Sequence, residues 1–138
     1  MSRGLTLVEV VIASAIILAA VVALLGVHSL YLKTALENAQ TVKATYLAEG
    51  GLEEIRYLRD DSWSANILNL TSTTTYFDNF QRTITLGAVY RDNNDDIISS
   101  GGTLDPNTKL VTAAVSWLKA GATTTKSIST YLTNIYEN

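Results

Sequence analysis

The stretch GLTLVEVVIASAIILAAVVALLGV, residues 4–27, carries a single charge, Glu9, and from Val10 to Val27 it carries none. At about 1.5 Å per residue the uncharged run spans roughly 27 Å as a helix, close to the hydrocarbon thickness of a bilayer. A glutamate at the entrance of such a span is the feature to explain. Working outward, the N-terminal side is only Met1-Ser2-Arg3, and Arg3 on this short flank points to a cytoplasmic N-terminus by the positive-inside tendency. A secretory signal peptide would have a shorter apolar core cleaved on its far side. Ala13-Ser14-Ala15 looks like such a site, yet apolar residues continue for another dozen positions beyond it. A plain single-span anchor accounts for the length and for Arg3 but does not ask for Glu9.

On the C-terminal side the helix continues. No proline occurs from Ser29 to Arg59, and Leu32, Ala35, Ala39, Val42, Tyr46 and Leu47 recur at three- and four-residue steps, which predicts a packing face. A helix from Leu5 to Arg59 approaches about 80 Å. Two glycine sites interrupt it. Gly26 is a candidate for local melting, set against simple small-residue packing, because glycine costs about 1 kcal/mol relative to alanine in a helix interior. Gly50-Gly51 is expected to let a strand or loop approach closely rather than to act as a hinge.

Arg59-Asp60-Asp61-Ser62 should end the helix, and Trp63 to Asn79, rich in serine, threonine and asparagine, reads as a linking loop. The Thr71 to Thr75 run is expected to be solvated loop. The remainder reads as an antiparallel meander. Phe80, Ile84, Leu86, Ala88 and Tyr90 share one parity with Arg82 as the misfit, and Val111, Ala113, Val115 and Trp117 form a second segment. Ile128, Leu132 and Tyr136 alternate with Tyr131 and Ile135 in a third, whose inward face stays open. Lys119-Ala120-Gly121-Ala122 supplies a turn.

The N-terminal residues resemble the prepilin signature of type IV pilins and of the pseudopilins of type II secretion and competence systems. In that family a short basic leader ends in glycine, and phenylalanine, threonine, two apolar residues and glutamate follow. Here the leader is Met1-Ser2-Arg3-Gly4, Leu5 takes the phenylalanine position and Glu9 the glutamate position. The resemblance implies cleavage between Gly4 and Leu5 by a prepilin peptidase, N-methylation of Leu5, and an assembly role for Glu9, paired with the new amine of a neighbouring subunit. It further implies other pilin subunits and an inner-membrane assembly platform as partners, with membrane lipid around the helix before assembly. Ala48-Glu49-Gly50-Gly51-Leu52-Glu53-Glu54-Ile55-Arg56 and Val115-Ser116-Trp117 are similar, less specifically, to minor pilins and pseudopilins.

The expected fold is therefore α+β and pilin-like: a long N-terminal helix, half membrane-spanning and half amphipathic, packed on a three- to four-stranded antiparallel sheet. Residues 1–4 form the leader, 5–28 the transmembrane and assembly helix, and 29–138 the head, with helix to about 59, loop at 60–78 and sheet at 79–138. The expected function is a structural subunit, a minor pilin, of a type IV pilus-like filament. It would sit in the cytoplasmic membrane with its head outside, then in an extracellular or periplasmic filament. The alternatives are a pseudopilin of a secretion or competence system and, from another class, a single-span membrane-anchored binding module.

Composition narrows other chemistry. The 138 residues are 47% hydrophobic with mean hydropathy +0.17, enough for one membrane helix and one small domain. Net charge is −3, and removal of the leader with Arg3 makes the balance more negative, so nucleic-acid binding through phosphate neutralisation is not expected. Cysteine is absent, so the head must hold by packing and hydrogen bonding. The lone His28, at the membrane boundary, supports neither a His-cluster metal site nor a Ser-His-Asp arrangement in the head. Asp92, Asn94 and Asp96 have the alternating oxygen-ligand spacing that suits calcium. Ile97 stands where an EF-hand needs glycine, however, and the alternative is a solvated acidic turn. Glu53-Glu54 and Asp95-Asp96 are adjacent pairs that do not face one another, so no enzyme activity and no cofactor are expected.

Overall fold

A computed structural model describes residues 6–119 and 121–135. It divides into two compact units, Met1–Ala39 and Gln40–Asn138. The chain opens with one helix, α1, Leu7–Asp61. The first unit consists of its N-terminal part, in which every described residue except the half-buried Glu37 is exposed.

In the second unit the rest of α1 packs on an antiparallel sheet. The strands are β1 (Ser72–Phe77), β2 (Phe80–Arg91), β3 (Ile97–Ile98), β4 (Thr103–Lys119) and β5 (Ala122–Thr133). Their order is β1-β2-β4-β5, with the short β3 on β2, and every pairing is antiparallel. The α+β expectation holds, with one strand more than the upper count.

The face that α1 buries is Ala44, Ala48, Gly51, Leu52 and Ile55, flanked by the half-buried Leu47 and Leu58. This corrects the expected stripe, because Leu32, Ala35, Ala39, Val42 and Tyr46 all remain exposed. The physical reason lies in the sheet, whose inward residues Phe80, Arg82, Ile84 and Trp117 are large and buried. Only the small-residue side of the helix leaves room for them. At Gly51 a Cβ would lie 3.0 Å from Arg82 Cδ and 3.1 Å from Ile84 Cδ1, so this glycine does permit a close strand approach.

The expected loop at 60–78 is corrected in two places. Trp63–Ile67 forms one π-helical turn capped by Ser62, whose hydroxyl accepts from Ala65 N, and it buries Trp63 and Ile67 in the core. Ser72–Phe77 is a full edge strand, paired from Ser72↔Thr85 to Phe77↔Phe80. Strand β4 begins at Thr103, eight residues before the alternating segment that starts at Val111. It admits Pro106 because the β2–β4 register shifts between Ala88 and Val89, leaving Pro106, Asn107 and Thr108 unpaired with β2. The same shift reverses parity at the end of β2: Val89 is buried, while Ala88 and Tyr90 are exposed. In β5 the inward face is that of Ile128 and Leu132, and Tyr136 lies outside the described residues. The connection into β5 uses Gly121 at φ 83, a left-handed position that suits glycine.

Candidate functional site

Gly4 and Leu5, the expected processing residues, lie outside the described residues. Thr6 stands at the start of α1 as its cap. Thr6 N and Thr6 Oγ1 both donate to Glu9 Oε2 at 2.8 Å, while Glu9 N donates back to Thr6 Oγ1 at 3.3 Å. This is a capping box, with Thr6 at the N-cap and Glu9 at the third helical position, and Val10 N closes the first helical bond on Thr6 O at 3.2 Å. The sequence expectation gave Glu9 an assembly role alone. The missed signal was the Thr-x-x-Glu spacing at the start of an apolar run. A cap of this kind satisfies backbone donors that the first helical turn would otherwise leave open. It also gives the Glu9 carboxylate two donors from its own chain.

Beyond Glu9, α1 holds a window of mean hydropathy 3.0 with none of it buried, long and apolar enough to cross a membrane by length and composition. Two hydroxyls of this part of α1 are satisfied within the helix. Ser14 Oγ donates to Val11 O at 2.9 Å, and Thr34 Oγ1 donates to Leu30 O at 3.0 Å, which lowers the cost of placing a hydroxyl in an apolar setting. The helix runs unbroken through Gly26, where an added Cβ would meet nothing within 4 Å. Exposed apolar side chains extend past the uncharged run, with Leu32 50% exposed, Val42 53% and Tyr46 69%. Within the second unit, Val42 and Tyr46 lie on the face of the helix opposite Ala44, Ala48 and Ile55.

In the head, the calcium candidates Asp92, Asn94 and Asp96 lie in the turn between β2 and β3. Asp92 Oδ1 is committed to the turn itself, accepting from Asn94 N at 2.8 Å and Asp96 N at 3.0 Å. Among the described residues no group of three His, Cys, Asp or Glu is arranged to hold a metal ion. A cation of the chain itself, Arg91, ties this region together. Arg91 Nε donates to Asp105 Oδ2 at 2.7 Å, and Arg91 Nη1 donates to Asp95 O at 2.8 Å. The hydrogen bond from Arg91 holds the Asp105 carboxyl below its ordinary 3.8, and the same bond raises the Arg91 guanidinium.

The other cation that the sequence reading left unexplained is Arg82. It is 6% exposed, ion-paired with Glu54, within 3.4 Å of Leu47 O through Nη1, and stacked 5.0 Å from the Phe77 ring centroid. Its misfit parity is a buried tie between β2 and α1. Glu54 belongs to the pair Glu53-Glu54, whose other member binds Arg56 on the helix surface. No family model, curated protein or solved structure matches this chain.

Proposed function

We propose that this chain is a structural subunit, a minor pilin, of a type IV pilus-like filament, and that it is not an enzyme. In this reading a prepilin peptidase removes residues 1–4. The helix is held in the cytoplasmic membrane with its N-terminus inside and its head outside, and an inner-membrane platform then passes it into the filament among other pilin subunits. The observation that carries the reading is the length of the exposed apolar helix. An anchor needs apolar surface only as far as the headgroups, yet on α1 exposed apolar side chains recur for nineteen residues past Val27, at Leu30, Leu32, Leu36, Val42 and Tyr46. A surface of that length fits neighbouring helices of the same kind. It has no use in a solitary anchored module.

Glu9 supplies the register. An acidic residue inside a span is costly, and the Thr6 cap offsets part of this in the monomer. The free amine of a neighbouring Leu5 would add an electrostatic attraction that offsets more of it, less the desolvation of both groups.

Two variants separate pairing from capping. Glu9→Gln keeps a side chain that can serve the capping box but removes the charge, whereas Thr6→Val removes the cap and keeps the charge. Both should be processed and inserted. Recovery in sheared filaments should collapse for Glu9→Gln and persist for Thr6→Val. Undiminished incorporation of Glu9→Gln, or equal loss in both variants, would remove the assembly role from Glu9.

A further inference from the structure

The side of the sheet turned away from α1 has an unusual composition. The ladder register sets Thr74, Thr83, Ala114 and Ser127 in one row across β1, β2, β4 and β5. Ser72, Thr85, Thr112 and Ser129 form the next row on one side, and Tyr76, Gln81, Ser116 and Thr125 the next on the other. Gly87, Leu110 and Tyr131 extend the face by a further row. No charged residue stands in any of these rows, although a solvated protein surface is typically about a quarter to a third Lys, Arg, Glu and Asp. The charges of these strands lie on the other side, at Arg82, Lys109 and Lys126, or beyond the rows.

The hydroxyls on this face are held in place. Thr74 and Thr83 pair at 3.3 Å, Thr112 and Ser129 at 2.9 Å, and Ser116 and Thr125 at 2.8 Å. Each such pair spends one proton, so the array keeps a free donor and spare lone pairs in fixed positions. Preorganisation of this kind reduces the ordering cost of binding. Two exposed rings stand at opposite edges of the face, Tyr76 on β1 at 72% and Tyr131 on β5 at 52%. Strand spacing puts β1 and β5 about 14 Å apart, with successive rows about 6.8 Å apart along the strands.

We propose that this face binds a neutral polysaccharide chain, laid across the strands between Tyr76 and Tyr131. Complementarity selects the occupant. A nucleic acid or an anionic glycan would require a cationic surface, and these rows offer none. A protein partner would be met by an interface centre rich in aromatic and apolar side chains, whereas the centre here is Thr83, Thr112 and Ala114. A neutral polyol matches on both counts: its hydroxyls exchange donors and acceptors with the threonine rows, and its apolar ring faces suit the two tyrosines. The proposal is independent of whether the helix assembles.

The test is a pull-down of the full chain, in a zwitterionic detergent without sugar headgroups, on microcrystalline cellulose and on chitin, with dextran sulfate beads alongside. Wild type and Lys126→Ala, which alters the opposite face, should be depleted equally from solution by at least one neutral polymer. T85K/S127K should bind at least tenfold more weakly, and Tyr131→Ala severalfold more weakly. Ser127→Lys alone, at an exposed position of the edge strand, provides a second variant should the double one fail to keep the native Trp63 and Trp117 fluorescence. Failure of wild type to bind either neutral polymer would overturn the proposal. So would equal binding by the lysine variants, or binding to dextran sulfate alone.

Discussion

Adjacent glycines on α1 should respond to the same substitution with opposite signs. Gly50 is exposed, and a Cβ there would meet only Arg82 Nη1, at 4.0 Å. Gly51 is buried, and its Cβ would sit 3.0 Å from Arg82 Cδ, 3.1 Å from Ile84 Cδ1 and 3.3 Å from Arg82 Nε. Alanine gains about 0.5–1 kcal/mol over glycine in a helix interior, through the unfolded chain as much as the folded one. At Gly50 that gain should be kept whole. At Gly51 the neighbours must yield by a few tenths of an ångström. Ile84 is fully buried, and Arg82 is held by Glu54, Leu47 O and the Phe77 ring, so neither moves freely. Overpacking of this kind costs about 1–3 kcal/mol, which exceeds the propensity gain. The expected outcomes are therefore stabilisation by about 0.5–1 kcal/mol for Gly50→Ala and net loss of about 0.5–2 kcal/mol for Gly51→Ala. Denaturant titration of the detergent-solubilised chain, followed through the fluorescence of the buried Trp63 and Trp117, measures both. Equal stabilisation of the two variants would refute the close approach of β2 to α1.

Two further outcomes follow from particular contacts, and a third from the proposed processing. Glu54→Ala leaves the Arg82 guanidinium buried and without its carboxylate. Because Glu54 is itself half exposed, the loss should be about 1–3 kcal/mol, while Arg82→Met combined with Glu54→Leu should return within about 1 kcal/mol of wild type in the same titration. The folded Asp105 carboxyl titrates below 3.8, so the Asp105–Arg91 contribution is complete above that pH and is lost as pH falls through the lower folded value. Amide exchange over residues 92–98, corrected for its intrinsic pH dependence, should lose protection on going from about pH 5 to about pH 2, and Asp105→Asn should lack that protection throughout. Gly4→Val should leave an unprocessed precursor in the membrane, visible as a heavier band whose N-terminal peptide retains the leader.

The long helix and the sheet could be read from the sequence because each has a strong period: a membrane-length apolar run, then alternation from Phe80 and again from Val111. What was hidden depended on partners distant in sequence. Strand β1 carries Ser72, Thr73, Thr74 and Thr75, so hydroxyls fall on both faces and no alternation marks it. Only its pairing with β2 makes it a strand. The buried face of α1 was hidden for a related reason. Apolar size favours Leu32, Val42 and Tyr46, while the bulk of Trp117, Phe80 and Arg82 across the interface selects Ala44, Ala48 and Gly51 instead. The reversal at Val89 follows from a register shift that leaves no local trace apart from Pro106 on the opposite strand. At the candidate site, Glu9 could be singled out as the lone charge at the entrance of the span. Its local partner Thr6 stands three residues away in plain view, but the capping role becomes evident only with the geometry.

Mass spectrometry of surface filaments sheared from cells that express the chain tests the central claim most directly. The account predicts a filament-borne species that begins at Leu5 with a methylated amine and lacks Met1 to Gly4. Filaments free of this chain, or a membrane-bound chain that begins at Met1 or beyond Ala15, would contradict it.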